Sequence, residues 1–294
     1  LATGSGKSVL VYDVGGSHVS AAVCLDGAGA FRLGQVVTAP HPAQQASEAF
    51  VALLYSLGGQ AAAGFPGVLG AALAFPGPFD YPAGISRMRH KLPFLFGVNL
   101  RQALAERFHW CAGQVRFLND ADAFLWGEIG AGAARGVPRS VGITLGTGIG
   151  SAFGLEGRVV TEGPGVPPSG EIWNLPYEGG IIEDSVSTRA IQGGYQKRTG
   201  RLCEVCEIAA AAPGDSAAAE VFADFGRHLG LALRMALAEF APKVVVIGGG
   251  ISRSAQLFLP AARHELRDTD IELRVSTLMD HAALVGAAVA WFTE

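Results

Sequence analysis

Two hydrophobic rhythms alternate along this chain. Short apolar runs at 9–14, 19–24, 31–37, 68–75, 115–118, 141–145, 151–155, 244–247 and 271–275 predict strands, those at 68–75 and 244–247 buried. Apolar positions at helical spacing predict helices over 44–57, 99–107, 121–130, 186–198, 215–240 and 282–292, with another opening at Ser252. The first three strands read as a meander, and Phe75-Pro76-Gly77-Pro78-Phe79-Asp80 as a rigid turn that ends the strand before it. From residue 119 the plan repeats: helix, strand, glycine turn, strand. That order predicts an α/β chain of two lobes, 1–118 and 119–281, with a last helix, 282–294, that could return to the first. The polar, Gly- and Pro-rich stretch 161–180 reads as a long loop, and such loops are more often functional than idle.

Composition narrows the classes. With 294 residues, 49% of them hydrophobic and 16% charged, there is ample material for one large or two medium cores. A net charge of −4 leaves no basic footprint for nucleic acid. No apolar stretch reaches the ~18 residues that a membrane helix needs. No signal-peptide pattern precedes the strand at Val9. Cys24, Cys111, Cys203 and Cys206 are too few and too scattered for a disulfide framework, so a reducing cytoplasm is expected.

The candidate chemistry lies in two glycine turns and the segment between them. Asp13-Val14-Gly15-Gly16-Ser17 and Leu145-Gly146-Thr147-Gly148-Ile149-Gly150 each sit between two apolar runs, which reads as strand, tight turn, strand. Successive N–H groups in such turns form concave donor clusters suited to phosphate oxygens, and glycine lets a ligand come close. Between them lies Phe117-Leu118-Asn119-Asp120-Ala121-Asp122. Each piece alone is an ordinary hairpin or a helix N-cap. Together they suit the transfer of a phosphoryl group. A Rossmann fingerprint does not fit, because the 146–150 spacing is wrong and leads into a strand-like run. Leu1-Ala2-Thr3-Gly4-Ser5-Gly6-Lys7-Ser8 imitates a P-loop, but Leu1 replaces the first glycine and a strand follows. Cys203-Glu204-Val205-Cys206 has zinc-ligand spacing without a second pair or a nearby His, and reads as helix.

Further segments complete an ordered set: Phe75-Pro76-Gly77-Pro78, Val98-Asn99-Leu100-Arg101, Ser169-Gly170-Glu171, Ile182-Glu183-Asp184-Ser185-Val186-Ser187 and Ile247-Gly248-Gly249-Gly250-Ile251. Over nearly its whole length the chain resembles the ROK family of sugar kinases and sugar-responsive repressors, in the actin–hexokinase superfamily. The resemblance implies a two-lobed actin-like, hexokinase-like (ribonuclease H-like) α/β fold with an interlobe cleft. It implies transfer of phosphate from ATP, with Mg²⁺, to the 6-hydroxyl of a hexose, glucose before others. Asp120 would be the general base on that hydroxyl, with Asn119 on a neighbouring one and Gly77 lining the sugar pocket through its backbone. Glu171 and Glu183 would accept hydrogen bonds from the sugar. Asp13 would face magnesium through water. Gly15, Gly16, Ser17, Thr147 and Gly148 would cradle the phosphates, while Gly249 and Gly250 pass under the adenosine. A homodimer is also implied, with no nucleic acid or membrane as partner.

Four departures stand out. The family's G-E-x-G-H is Gly170-Glu171-Ile172-Trp173-Asn174, so Asn174 replaces its His. The cysteine-rich zinc segment that usually follows is missing, which implies no zinc site. Asp122 replaces an Asn, and Ser17 a Thr that shares its hydroxyl. Because that loop carries sugar contacts, a kinase for an N-acylhexosamine or another hexose remains a second reading, and Trp173 stands as either a sugar-stacking or a core residue. A non-catalytic ROK-type sugar sensor is a third. Family repressors place a helix-turn-helix before the first phosphate turn, whereas here that turn opens at Asp13, and Asp120 is present.

Overall fold

The computed structural model describes residues 7–27, 29–42, 46–89 and 91–293. Most of the P-loop imitation, and the first two residues of the helix expected over 44–57, lie outside them. The chain divides into two compact units, Leu1–Ala131 with His281–Glu294, and Gly132–Asp280.

The first unit opens with β1 (Lys7–Val14), β2 (His18–Asp26), β3 (Phe31–Leu33), β4 (Val37–Pro40) and α1 (Ser47–Ala61). It continues through β5 (Ala71–Phe75), the two-residue strands β6 (Phe79–Asp80) and β7 (Ile85–Ser86), α2 (Leu100–Phe108), β8 (Val115–Asn119) and α3 (Asp120–Ala131). Its main sheet runs β3-β2-β1-β5-β8, with β4 also on β2. β1 and β2 are antiparallel, while β1, β5 and β8 are parallel. The single strand expected over 31–37 is two strands. β3 pairs with 24–26 of β2 and β4 with 18–21, and the break falls at Gly34, whose missing Cβ leaves room for the Phe65 ring.

The second unit holds β9 (Arg139–Leu145), β10 (Ile149–Leu155), β11 (Arg158–Val160), the short hairpin strands β12 (Pro176–Tyr177) and β13 (Gly180–Ile181), and the one-turn helix α4 (Ile182–Ser185). Then follow α5 (Thr188–Thr199), α6 (Val205–Ala211), α7 (Ser216–Ala236), β14 (Val244–Gly248), α8 (Ala255–Glu265) and β15 (Glu272–Val275). Its sheet runs β11-β10-β9-β14-β15, antiparallel up to β9 and parallel from there. The same strand plan therefore occurs in both units, which gives the internal repeat read from the sequence its topology. α5, α7 and α8 cover this sheet, with Phe222, Phe225, Leu229 and Phe258 packed against Val141, Ile143, Val245 and Ile247. The helix expected at Ser252 begins as a 3₁₀ turn, Gly250–Ser254, before α8.

The last helix, α9 (Ala282–Thr293), returns to the first unit. Side chains along a strand point alternately to the two faces of the sheet. Leu10 and Tyr12 of β1 pack with Phe50 and Leu54 of α1, while Val9 and Val11 pack with Leu284, Ala287 and Ala288 of α9. Both faces are buried, which is why β1 reads as continuous apolar sequence rather than as alternation. The Tyr12 hydroxyl, fully buried, donates to Leu54 O at 2.8 Å, so its burial leaves no orphaned donor. Among the described residues no helix is long and apolar enough to cross a membrane.

Candidate active site

In each unit the predicted glycine turns, with Asp13, Asn119 and Asp120 in the first, lie at the carboxyl ends of the parallel strands, the edge where open α/β sheets bind ligands. In the first unit, Asp13 of β1 lies opposite Ala74 of β5, and Phe75 opposite Asn119 of β8. One edge thus carries Asp13 with the 15–17 turn, Phe75 with Gly77, and Asn119 with Asp120. In the second unit, Gly146–Gly148 follow β9, and Gly249 and Gly250 follow the adjacent strand β14.

The first turn is closed by Gly15 N donating to His18 O at 3.0 Å, which leaves Gly16 and Ser17 at the tip. A Cβ on Gly16 would meet nothing within 4 Å, so the turn's surface is open to a ligand. Asn119 and Asp120 divide the work at the start of α3. The Asn119 side-chain Oδ1 accepts from the N–H groups of Ala121 at 2.8 Å and Asp122 at 3.3 Å, which makes Asn119 the helix cap. Its amide nitrogen donates to the Tyr81 hydroxyl at 3.1 Å, and that hydroxyl donates to Phe75 O at 3.1 Å. Asp120 accepts from Ala121 N through Oδ1 at 2.9 Å, and Oδ2 is left for another donor. A Cβ on Gly77 would stand 3.5 Å from Tyr81 Oη and 3.9 Å from the Asn119 amide, so glycine keeps the approach to these polar groups open.

In the second unit the turn after β9 is closed by Gly146 N donating to Gly148 O at 2.9 Å. Thr188, the first residue of α5, braces it with N–H and hydroxyl bonds to Gly146 O, each 2.9 Å. Glu183 lies so close to Gly148 that a Cβ there would collide with its carboxylate. Glu183 Oε2 accepts from Ile149 N at 3.3 Å, and Oε1 stands 3.5 Å from Arg189. Gly249 is required twice over. Its φ of 81° is left-handed, and a Cβ would sit 2.6 Å from Leu145 N. Gly250 is open around its missing Cβ.

The loop after β11 is pinned from beneath. Buried Ser151 donates its hydroxyl to Gly170 O at 2.6 Å and accepts from Ile172 N at 3.0 Å. Gly170 adopts φ 70° and Ser169 φ 58°, which turns Glu171 outward. Trp173 is 37% exposed, not a core residue, and its indole N–H donates to Glu171 Oε2 at 2.9 Å. Asn174 is exposed beside it.

A model of the ROK family matches residues 9–294. The chain belongs to the ROK family. Among ROK relatives, the glucokinase of Thermotoga maritima is 30% identical over 247 residues, covering 72% of this chain and 76% of the relative. The ROK hexokinase of Thermus thermophilus superposes with a TM-score of 0.79 at 27% identity, covering 96% of this chain and 97% of that one. A ROK glucokinase of Streptomyces griseus, solved with glucose and AMPPNP, superposes at 0.78 with 23% identity over 96% and 98% of the two chains, a likeness of fold. The two mixed α/β units are thus those of a ROK hexokinase-like fold. Names within reach of this chain vary, from an N-acetyl-D-glucosamine kinase of Pectobacterium carotovorum at 28% identity to the transcriptional regulator NagC of Escherichia coli at 27%.

Tyr81, Tyr177 and His228 escaped the sequence reading of this ROK chain. Tyr81 lies in a turn without periodicity and is recognisable only through its bond to Asn119, 38 positions away. The Cys203-Glu204-Val205-Cys206 segment straddles the start of α6, and both thiols are free.

Proposed function

We propose that this ROK chain is an ATP-dependent sugar kinase that phosphorylates a hexose, glucose foremost, at its 6-hydroxyl. The observation that carries this reading is the placement of Asp120. It follows a capping Asn119 at a parallel-strand edge, with Oδ2 left for a donor and Gly77 and Tyr81 beside Asn119. A sugar hydroxyl is a weak nucleophile. Asp120 orients it and takes its proton as the O–P bond forms, a contribution of ~10²–10⁴ in rate. The hydroxyl oxygen attacks the γ-phosphorus in line, the bond to the β-phosphate oxygen breaks, and ADP leaves with the electron pair.

Asn119 keeps one amide hydrogen beyond its bond to Tyr81, which it can donate to a neighbouring hydroxyl. Glu171 retains Oε1 for the sugar while Trp173 occupies Oε2. Glu183, with Asn174 in the loop before it, completes the proposed sugar contacts. Gly15, Gly16, Ser17, Thr147 and Gly148 present N–H groups and hydroxyls to the phosphates, and Gly249 and Gly250 leave a flat path for the adenosine. Asp13 would supply a hard oxygen donor of the kind Mg²⁺ takes. When bound, Mg²⁺ neutralises phosphate charge.

The second reading, an N-acylhexosamine or other hexose as substrate, is favoured by the altered loop, where Trp173 ties up half of the Glu171 carboxylate. A coupled assay of ADP release, run over glucose, mannose, fructose and N-acylhexosamines with ATP and Mg²⁺, tests both. Turnover with glucose above the rest supports the first reading. A hexosamine in that place supports the second. Sugar binding without any turnover would leave a sensor.

A further inference from the structure

The hairpin β12–β13 has only two residues on each side, and a two-stranded ribbon that short does not hold its shape alone in water. Its stem is tied locally. Ile182 N donates to Leu175 O, and Glu183 N donates to Trp173 O, both at 3.1 Å. Its tip, Glu178-Gly179, turns through two left-handed residues with φ 47° and 81°. Between stem and tip, Tyr177 reaches α7. Its hydroxyl lies 3.0 Å from His228 Nδ1, with the two rings edge to face at 5.8 Å. Glu178 Oε2 stands 3.4 Å from the same Nδ1, and Arg227 Nη2 3.3 Å from Nε2.

Donor and acceptor roles follow from chemistry. A guanidinium can only donate, so Nε2 accepts from Arg227 and the ring proton belongs on Nδ1, where it points at Tyr177 and Glu178. Burial first, and then the Glu178 charge, push the Tyr177 hydroxyl above the ordinary tyrosine range, so it keeps its proton to donate. The chain of donors runs from Arg227 through His228 to Tyr177, with the Glu178 carboxylate beside it as acceptor. It joins a long helix in the packed core to a hairpin that begins just after Trp173 and ends just before Glu183.

We propose that His228 is a positioning residue that fixes the hairpin 176–181 and, through its stem, the Glu183 carboxylate and the Trp173–Glu171 pair, and so sets affinity for the sugar. The proposal deepens the sugar-kinase reading and rests on it.

Three variants test it. His228→Leu removes both ring nitrogens, His228→Asn returns an amide N–H near the place of Nδ1, and Tyr177→Phe removes only the hydroxyl while keeping the ring. Two measurements are made on each: backbone amide exchange at 177–181 without ligand, and KM for sugar and for ATP. His228→Leu and Tyr177→Phe are expected to speed hairpin exchange about tenfold, the scale of one lost part-buried hydrogen bond. They should raise the sugar KM by a similar factor and leave the ATP KM within about twofold. His228→Asn should recover most of both effects. Unchanged exchange, equal rises in both KM values, or no recovery in His228→Asn would overturn the proposal. If the unmodified protein turns over no sugar, the kinase reading fails, whereas exchange still tests the tether separately.

Discussion

At the scale of single residues, Asn119 and Asp120 divide the start of α3 between a cap and the proposed base. Asn119 spends its side-chain Oδ1 on the first N–H groups of α3, which leaves Asp120 Oδ2 for the proposed contact with substrate. Asp120→Asn preserves the Oδ1 bond to Ala121 and removes only the proton acceptor. Turnover is therefore expected to fall by ~10²-fold or more with the melting temperature unchanged. Near-normal kcat on the best sugar would remove Asp120 from the mechanism. The two glutamates differ in a way their sequence positions do not reveal. Among the described residues the Glu171 carboxylate accepts from Trp173, while that of Glu183 lies against Ile149 N, Arg189 and the Gly148 backbone. Glu171→Gln should raise the KM for sugar and leave that for ATP. Glu183→Gln should raise the sugar KM more, and the ATP KM by a smaller factor, because it also loosens the phosphate turn. Steady-state kinetics with each substrate varied will separate them, and a larger effect on ATP in either variant would reverse the assignment.

At the scale of elements, the strands and long helices were legible because each buries a face whose period the sequence carries. The hairpin β12–β13 was not, since two-residue strands have no period to read and their anchor on His228 lies 51 positions away from Tyr177. The destination of α9 was equally hidden. Its small residues announce close packing, but its partner α3 begins more than 150 residues earlier in the chain. The contact itself is sharp. A Cβ on Gly286 would collide with the carbonyl of Ala123, and one on Gly127 with the carbonyl of Ala282. Alanine is favoured over glycine inside a helix by ~1 kcal/mol, yet here the obstruction is backbone and cannot swing aside. Gly286→Ala is expected to destabilise by ~1–3 kcal/mol net. For a chain of this size each kcal/mol lowers the melting temperature by ~2–4 °C. Gly59→Ala is the control. Gly59 is exposed inside α1 with nothing within 4 Å of a Cβ, so the same substitution should be neutral or stabilising. Equal stability changes at 286 and 59 would mean that α3 and α9 do not meet so closely.

At the scale of the whole molecule, the chain uses one strand plan twice and gives the copies different glycines. The first edge carries Asp120 and the turn at Gly77. The second carries the Gly146–Gly148 turn braced by Thr188, and the left-handed Gly249. That division bears on which hydroxyl reacts. On the proposed reading, Asn119, Asp120 and Gly77 present the 6-hydroxyl. The departures, Trp173 and Asn174, fall in the loop expected to serve the first two carbons of the ring. Loss of one strong hydrogen-bond partner shifts discrimination by ~1–3 kcal/mol, which is ~5–150-fold in kcat/KM. That is enough to reorder related sugars and too little to move the site of attack. The expected product is therefore a hexose 6-phosphate, formed with broad tolerance, or an altered preference, at carbons 1 and 2. Incubation with glucose, mannose, fructose and N-acylhexosamines followed by phosphorus NMR reads both points at once. A sugar 1-phosphate would place the reacting hydroxyl at the wrong end of the ring for Asp120. Strict preference for glucose over its C2 variants would show that Asn174 and Trp173 replace the missing His in full.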